Sequence, residues 1–268
     1  MKYMTFNSSC SYAGVANMLE QHGVDSDDRS IAMRIKLPYL FSHENGVYMA
    51  GPMLQSADWF NLYLNPIGFN MVEKEVLAEQ VPTYLMQQKT AMLGLQVDES
   101  GKHAVVYTGQ QDGKLLFLNN KWEHTIAPEQ IALSEDELVS QISNSVMIAT
   151  LDSITPKTVD LLSKIRNSVA VIRQNLLEIL IICSREESVG QLRSRLNTLF
   201  RPLLLDGITM LNLLGEGELA QRFSSLQCSF LNALKQNADM KIKLGDYLNV
   251  NELDNAAREY IRLIEQAG

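Results

Sequence analysis

The hydrophobic pattern of this chain changes at Thr155-Pro156, and this change constrains the fold more than any other feature. Before it, short apolar segments alternate with Gly, Pro, Asn and Asp, which is typical of short strands, turns and short helices. After it, apolar residues recur at helical spacing to the end of the chain. We therefore expect an α+β domain over residues 1–152, followed by an all-helical domain over residues 153–268 that forms a bundle of about four or five helices.

The charge distribution agrees with this division. Residues 1–152 hold 9 Lys+Arg and 18 Asp+Glu, a net charge of -9, whereas residues 153–268 hold 14 and 13, a net charge of +1. The total of -8 gives no reason to expect a nucleic acid or an anionic membrane as partner. With 46% hydrophobic and 20% charged residues, the composition is that of a globular protein and excludes a disordered or collagen-like chain.

Three cysteines are spread widely along the chain: Cys10, Cys183 and Cys228. An odd number at such distances does not form a disulfide framework, so we expect reduced thiols. The first ten residues lack the apolar run of a signal peptide, and the longest apolar run, residues 177–183, is too short for a bilayer. We therefore expect a cytoplasmic protein. No His, Cys, Asp and Glu residues have metal-ligand spacing, so we expect no metal and no cofactor.

Two segments of the first domain contain residues suited to catalysis. Residues 10–22 are predicted to form a helix that starts at Cys10, with Ser8 or Ser9 as N-cap and Gly23 as stop signal. The segment "KHAVVYTGQQDGKLLFLNNKW" (residues 102–122) is predicted to form a hairpin that turns at Asp112-Gly113. Paired strands lie about 4.8 Å apart, so the hairpin would bring His103 beside Asn119 or Asn120.

The residues between these segments are harder to interpret. "DSDD" (residues 25–28) is interpreted as the capped, solvated start of a second helix. Residues 38–52 are predicted to be turn and irregular structure, and "SADWFNLYLNPIG" to be a short helix that ends near Pro66.

The combination of a thiol, an imidazole and an amide favours nucleophilic catalysis. A thiol attacks as thiolate, and both a helix N-terminus and a nearby imidazole stabilise the negative charge. An amide side chain can orient the imidazole through a hydrogen bond. Cys183 and Cys228 lie within apolar helical patterns, so they are interpreted as small core residues.

These motifs resemble those of papain-like cysteine peptidases. "HAVVYTG" (residues 103–109) is similar to the histidine strand of that family, and "NNKW" (residues 119–122) to its Asn-x-Trp element. "SCSYAGVANMLEQHG" (residues 9–23) resembles the nucleophile helix of the bacterial peptidases that cleave double-glycine leaders from bacteriocins. It also resembles the helix of the N-terminal acyltransferase domain of butirosin biosynthesis protein H. The resemblance covers roughly residues 5–150.

The resemblance implies a papain-like fold and assigns roles to residues of this chain. Cys10 would be the nucleophile and His103 the general base and acid. The third member would be Asn119, selected by the sixteen-residue step from His103, or Asn120, selected by the nearby Trp122; we place Asn119 slightly ahead.

The oxyanion site departs from the family pattern. The usual upstream glutamine position holds Met4 in this chain. Asn7 would supply the side-chain donor from a different position, together with the backbone N–H of Cys10. Trp122 would contribute to substrate binding.

Three functions remain open at this level. Hydrolysis of an acyl-enzyme would make the protein a cysteine peptidase or amidase, and capture by an amine would make it an acyltransferase of the butirosin type. Without catalysis, the fold would serve as a peptide-binding or partner-binding cleft. The expected substrate is a peptide or an acyl thioester. The helical domain would cap the cleft, form a homodimer or dock a carrier protein.

Overall fold

The computed structural model describes residues 1–98 and 101–268, and its mixed helix and sheet content confirms the α+β class. The helices are α1 (Cys10–Gln21), α2 (Asp28–Arg34), α3 (Ala57–Leu64), α4 (Val81–Met86), α5 (Glu135–Ser140), α6 (Leu161–Cys183), α7 (Val189–Ser194), α8 (Gly207–Leu214), α9 (Gly217–Gln236) and α10 (Val250–Ala267). The strands are β1 (Phe41–Glu44), β2 (Val47–Ala50), β3 (Phe69–Leu77), β4 (Ala91–Asp98), β5 (Gly101–Gln111), β6 (Lys114–Asn119), β7 (Gln130–Leu133), β8 (Ser145–Ser153), β9 (Glu186–Ser188) and β10 (Lys241–Lys243).

The chain divides into two units whose bounds differ from the predicted domains. The first unit contains Met1–Ile35 and Gln55–Val159, and the second contains Lys36–Leu54 and Asp160–Gly268. The sequence analysis placed residues 36–54 in the first domain. In the structure this segment bonds to helices of the second unit instead, for example from the Phe41 amide to Ser168 Oγ at 2.9 Å. Contacts between residues so far apart in sequence leave no local pattern.

Most of the segment predicted as turn and irregular structure, residues 38–52, is a hairpin that covers residues 41–50. Strands β1 and β2 pair antiparallel, and Asn45 and Gly46 join them with φ angles of 52° and 77°. Asn-Gly favours this turn because both positions need a positive φ. The signal was therefore present in the sequence, and the prediction of irregular structure was wrong.

The second unit is helical apart from two short ribbons. Helices α6 to α10 supply most of it, and the ribbons are β1–β2 and β9–β10. The prediction of an all-helical domain is corrected accordingly. A proline within a helical pattern favours a kink or break, and Pro202 opens a π-helical turn, Pro202–Asp206, that interrupts the α-helical pattern before α8. Of the helices in the described ranges, none is both long enough and apolar enough to cross a membrane.

The first unit is built on a six-stranded antiparallel sheet in the order β3-β8-β4-β5-β6-β7. One face carries the hydrophobic core under α4 and α5, to which β5 contributes Val105 and Tyr107. Helix α5 begins with a capping box, in which Ser134 and Glu137 bond to each other's backbone amides; a Ser followed three residues later by a Glu is the sequence pattern that predicts it. Helix α1 packs against β4 and β5.

Candidate active site

Cys10 is the first residue of α1, as predicted, and the N-terminus of this helix has no side-chain cap. Ser9 occupies the N-cap position, but its side chain makes no capping hydrogen bond. The first N–H groups of a helix have no partner within the helix and carry its positive dipole end. These groups are therefore available to stabilise negative charge at the cysteine and at an oxygen bound beside it.

A buried aspartate holds the turn that leads into Cys10. The Asp28 carboxylate is fully buried and accepts hydrogen bonds from the Thr5 amide at 2.7 Å, the Thr5 hydroxyl at 2.7 Å and the Ser9 hydroxyl at 2.6 Å. The interpretation of residues 25–28 as a solvated helix start is thus wrong for Asp28. Asp27 is the residue that caps α2, through the Ser30 amide. Asp28 instead fixes the backbone before Cys10.

The Cys10 thiol lies beside His103, which the predicted hairpin carries on β5. Partial burial raises the pKa of the thiol, whereas hydrogen bonds to His103 and to the Ala104 backbone, the charge of His103 and a hydrogen bond to Ser11 lower it. The lowering interactions outweigh burial, so the pKa of Cys10 falls below its ordinary value. This is the direction that a nucleophilic cysteine needs, because only the thiolate attacks.

A glycine allows α1 to approach the sheet closely. A Cβ atom on Gly14 would lie 2.4 Å from Met92 Sδ and 2.7 Å from Asn120 Nδ2, distances that real Cβ atoms do not show. At this contact the Asn120 side chain accepts from Asn17 Nδ2 at 2.9 Å and donates to the Ala104 carbonyl at 2.9 Å. Asn120 is fully buried and therefore ties α1 to the strand that carries His103.

Asn119 faces the opposite side of the sheet from Asn120. It pairs directly with Val105 in β5, so its side chain shares a face with Val105 and is a diagonal neighbour of His103. Its Nδ2 group donates to the Pro128 carbonyl at 3.0 Å. Its Oδ1 atom is buried, and no donor in the described part of the chain hydrogen-bonds to it. A buried acceptor without a partner costs about 1–3 kcal/mol, so this oxygen needs an explanation.

A β-bulge decides which asparagine shares the face of His103. From the turn outward, Gln111 pairs with Lys114 and Gly109 with Leu116, but beyond the bulge Tyr107 pairs with Phe117. Gly109 adopts a φ of 136°, which only glycine tolerates well. Without the bulge, Val105 would pair with Asn120 instead of Asn119. Because side chains alternate along a strand, Asn120 would then share the face of His103.

The other predicted binding residues lie near the N-terminus and after β6. Asn7 is exposed in the turn before α1, and the structure shows no hydrogen bond from it to Cys10 among the described residues. Trp122 is 39% exposed, and its backbone bridges to Met4. Met4 is buried and donates its amide to the Lys121 carbonyl at 2.9 Å. Met4, which stands where the family pattern has a glutamine, therefore anchors the N-terminal segment.

Ser11 and Gln55 were not among the predicted site residues. Ser11 follows Cys10, is 9% exposed, and donates its hydroxyl to Gln55 Oε1 at 2.8 Å. The two residues are 44 positions apart, and Gln55 belongs to no motif. Only the path of the chain brings its carboxamide to the start of α1.

Within residues 1–98 and 101–268, no three His, Cys, Asp or Glu side chains cluster in a way that could hold a metal ion. The three cysteines are all free thiols. Cys183 is buried, as expected, whereas Cys228 is exposed, so its interpretation as a core residue was wrong.

Comparisons with known proteins give a distant structural likeness. No protein-family model matches the chain, and no curated protein matches it. Among solved structures, the peptidase domain of Streptococcus ComA, a bifunctional ABC transporter involved in quorum sensing, is similar at a TM-score of 0.37 and 11% identity. The match covers 55% of this chain and 95% of that one. A likeness this distant does not define an activity, so the case for a function rests on the geometry around Cys10.

Proposed function

We propose that the first unit is a papain-like thiol enzyme that forms an acyl-enzyme on Cys10 and acts as a cysteine peptidase or amidase. The observation that carries this proposal is the position of Cys10 at an uncapped helix N-terminus, hydrogen-bonded to His103, with a lowered pKa despite partial burial. Structural cysteines in such burial have a raised pKa. The chemistry needs a reduced thiol, for which the cytoplasm is the expected compartment.

The proposed reaction proceeds in two steps. The Cys10 thiolate attacks the carbonyl carbon of a peptide or amide, and the former carbonyl oxygen becomes an oxyanion held by the first N–H groups of α1. The His103 imidazolium then protonates the departing amine, the C–N bond breaks, and a thioester remains on Cys10. In the second step the neutral imidazole takes a proton from water, which attacks the thioester and releases the acid.

Asn119 is proposed to orient the imidazole. Its Nδ2 group is held by the Pro128 carbonyl, and its Oδ1 atom is a buried acceptor on the face that His103 shares. Accepting the imidazole N–H would satisfy this oxygen and select the tautomer that faces the thiol. Asn120 already uses its Oδ1 and Nδ2 atoms between Asn17 and Ala104, so it is assigned the structural role.

The first experiment measures alkylation of Cys10 by iodoacetamide against pH, by mass spectrometry, in the wild type and in His103→Ala. His103 lowers the pKa of Cys10 through a hydrogen bond and its charge. Its removal leaves burial as the main influence, so the midpoint of alkylation should move to higher pH, and alkylation near pH 6.5 should slow about tenfold per pKa unit. An unchanged midpoint would refute the thiolate–imidazole pair.

A second experiment separates the two asparagines. Asn119→Ala should lower the rate of acyl-enzyme formation on Cys10 by on the order of tenfold or more, and the free energy of unfolding by only about 1 kcal/mol. Asn120→Ala leaves two buried partners unpaired and should cost about 2–4 kcal/mol. Denaturant titration and intact-mass analysis after exposure to an activated ester measure both quantities. The reverse pattern would assign the orienting role to Asn120.

A further inference from the structure

We propose that the Gln55 carboxamide is the side-chain donor to the oxyanion formed on Cys10, and that Ser11 holds it in place. This inference rests on the proposed acyl-enzyme chemistry and adds a catalytic residue to it. It replaces Asn7 in that role.

Tetrahedral intermediates of acyl transfer are stabilised by donors aimed at the oxyanion, commonly a backbone N–H together with a side chain. In this chain the backbone donors are at the start of α1, where Ser9 leaves the amides uncapped. Neither of the two residues considered before Cys10 provides a side-chain donor that is fixed in position. Met4 is apolar and buried, and Asn7 is exposed in the turn. The donor must therefore come from elsewhere in the chain.

Ser11 links Gln55 to the nucleophile. The Ser11 hydroxyl donates to Gln55 Oε1 at 2.8 Å, and the same side chain lies close enough to the Cys10 thiol to lower its pKa. One hydroxyl therefore adjoins both the reacting sulfur and the carboxamide. The bond to Ser11 uses the oxygen of Gln55 and leaves its two amide hydrogens available beside the helix N-terminus.

The backbone of Gln55 is anchored on its C-terminal side. Ser56 is the N-cap of α3, and its carbonyl accepts from the amides of Trp59 and Phe60. Both aromatic side chains are buried. A free glutamine side chain loses about 1.5–2 kcal/mol of conformational entropy when it becomes fixed. Because the anchored backbone and the Ser11 hydrogen bond already restrict Gln55, less of this cost falls on the reaction step.

The test compares two reactions of the same thiol in the full-length protein. p-Nitrophenyl acetate acylates Cys10 through an oxyanion: the thiolate attacks, p-nitrophenolate leaves, and an acetyl thioester forms. Iodoacetamide alkylates the same thiolate by displacing iodide, and no oxyanion forms. Gln55→Ala should slow acylation by at least about tenfold, towards the hundredfold typical of losing an oxyanion donor, while alkylation changes less than about twofold. Retained alkylation at low pH also shows that the site is folded.

Two further variants complete the experiment. Asn7→Ala tests the competing assignment, since it removes another exposed carboxamide close to Cys10 in sequence; acylation should fall far less in this variant than in Gln55→Ala. Ser11→Ala should slow acylation because it releases Gln55, and should also move the alkylation midpoint to higher pH because Ser11 lowers the pKa of Cys10. Cys10→Ser gives the background of ester cleavage at other sites.

Each outcome decides a different point. If the wild type forms no thioester at Cys10, the proposed function fails, and the assignment of Gln55 fails with it. If the wild type is acylated and Gln55→Ala is acylated equally fast, only the assignment of Gln55 fails. Equal losses in acylation and alkylation would show that Gln55 acts on the thiol and not on the oxyanion, which also overturns the assignment. A loss in Asn7→Ala alone would return the role to Asn7.

Discussion

The two units each place a cysteine at a helix end, with opposite consequences for its chemistry. Cys10 begins α1, lies partly exposed beside His103, and has a lowered pKa. Cys183 ends α6, is 1% exposed, and burial raises its pKa to about 12. The positive end of a helix dipole stabilises a thiolate and the negative end destabilises it. The comparison shows that position and neighbours, rather than the residue type, separate a reactive thiol from a packing residue.

Native alkylation should give the largest difference between these two thiols. The pKa of Cys10 lies below the ordinary value for cysteine, which is about 8.5, whereas burial raises the pKa of Cys183 to about 12. The thiolate fraction near pH 7 therefore favours Cys10 by more than about a thousandfold. The thiolate of the higher-pKa thiol is intrinsically more nucleophilic, which reduces the expected rate advantage of Cys10 by about thirtyfold. Cys10 should therefore react at least about thirtyfold faster, before the burial of Cys183 is considered.

Mass spectrometry of the two cysteine peptides after timed iodoacetamide treatment measures this ratio. In concentrated urea the ratio should approach one, because unfolding removes both environments. Similar native rates would remove the chemical distinction between the two units.

The close packing of α1 can be broken at one glycine. Gly14→Ala places a methyl group against Met92 and Asn120 and should cost about 1–3 kcal/mol of stability. Displacement of α1 should also make the alkylation midpoint of Cys10 approach that of an ordinary thiol.

Gly217→Ala is the matched control. Gly217 is the first residue of α9, and an added Cβ would meet nothing within 4 Å. Because alanine favours a helix, this change should be neutral or stabilising by up to about 1 kcal/mol. Thermal unfolding of both variants checks the difference in sign, and a neutral Gly14→Ala would show that the sheet does not require this approach.

Replacement of either cysteine by serine should give the smallest effect on stability. Stability should fall mainly in the Cys183 variant, and thioester formation should be lost in the Cys10 variant. Cys183→Ser buries a hydroxyl among apolar side chains and should cost about 1–2 kcal/mol. Cys10→Ser should change the free energy of unfolding by less than about 0.5 kcal/mol and abolish thioester formation. Denaturant titration measures both values; a larger stability loss at Cys10 than at Cys183 would indicate that Cys10 serves mainly in packing.

Local sequence signals predicted the elements that carry Cys10 and His103. The helix start at Cys10, the turn at Asp112-Gly113 and the capping box at Ser134 all depend on residues within a few positions of each other. The Asn45-Gly46 turn was equally local, and it was overlooked. These features follow from backbone preferences that each short segment carries with it.

The parts of the candidate site that were not predicted depend on distant residues. Asp28 looked like a surface residue in an acidic run, and it is buried because Thr5 and Ser9 fold onto it. Gln55 had no motif, and its carboxamide reaches α1 through the path of the intervening chain. No short pattern encodes such contacts, because they form between segments that are adjacent only after folding.

The sequence by itself determined that a thiol begins a helix, that an imidazole begins a strand, and that two asparagines end the next strand. Whether Asn119 or Asn120 shares the face of His103 was decided only by the tertiary structure. The bulge between Tyr107 and Gly109 shifts the register of β5 and β6 by one residue. Because side chains alternate between the two faces of a sheet, this single shift exchanges the positions of the two asparagines.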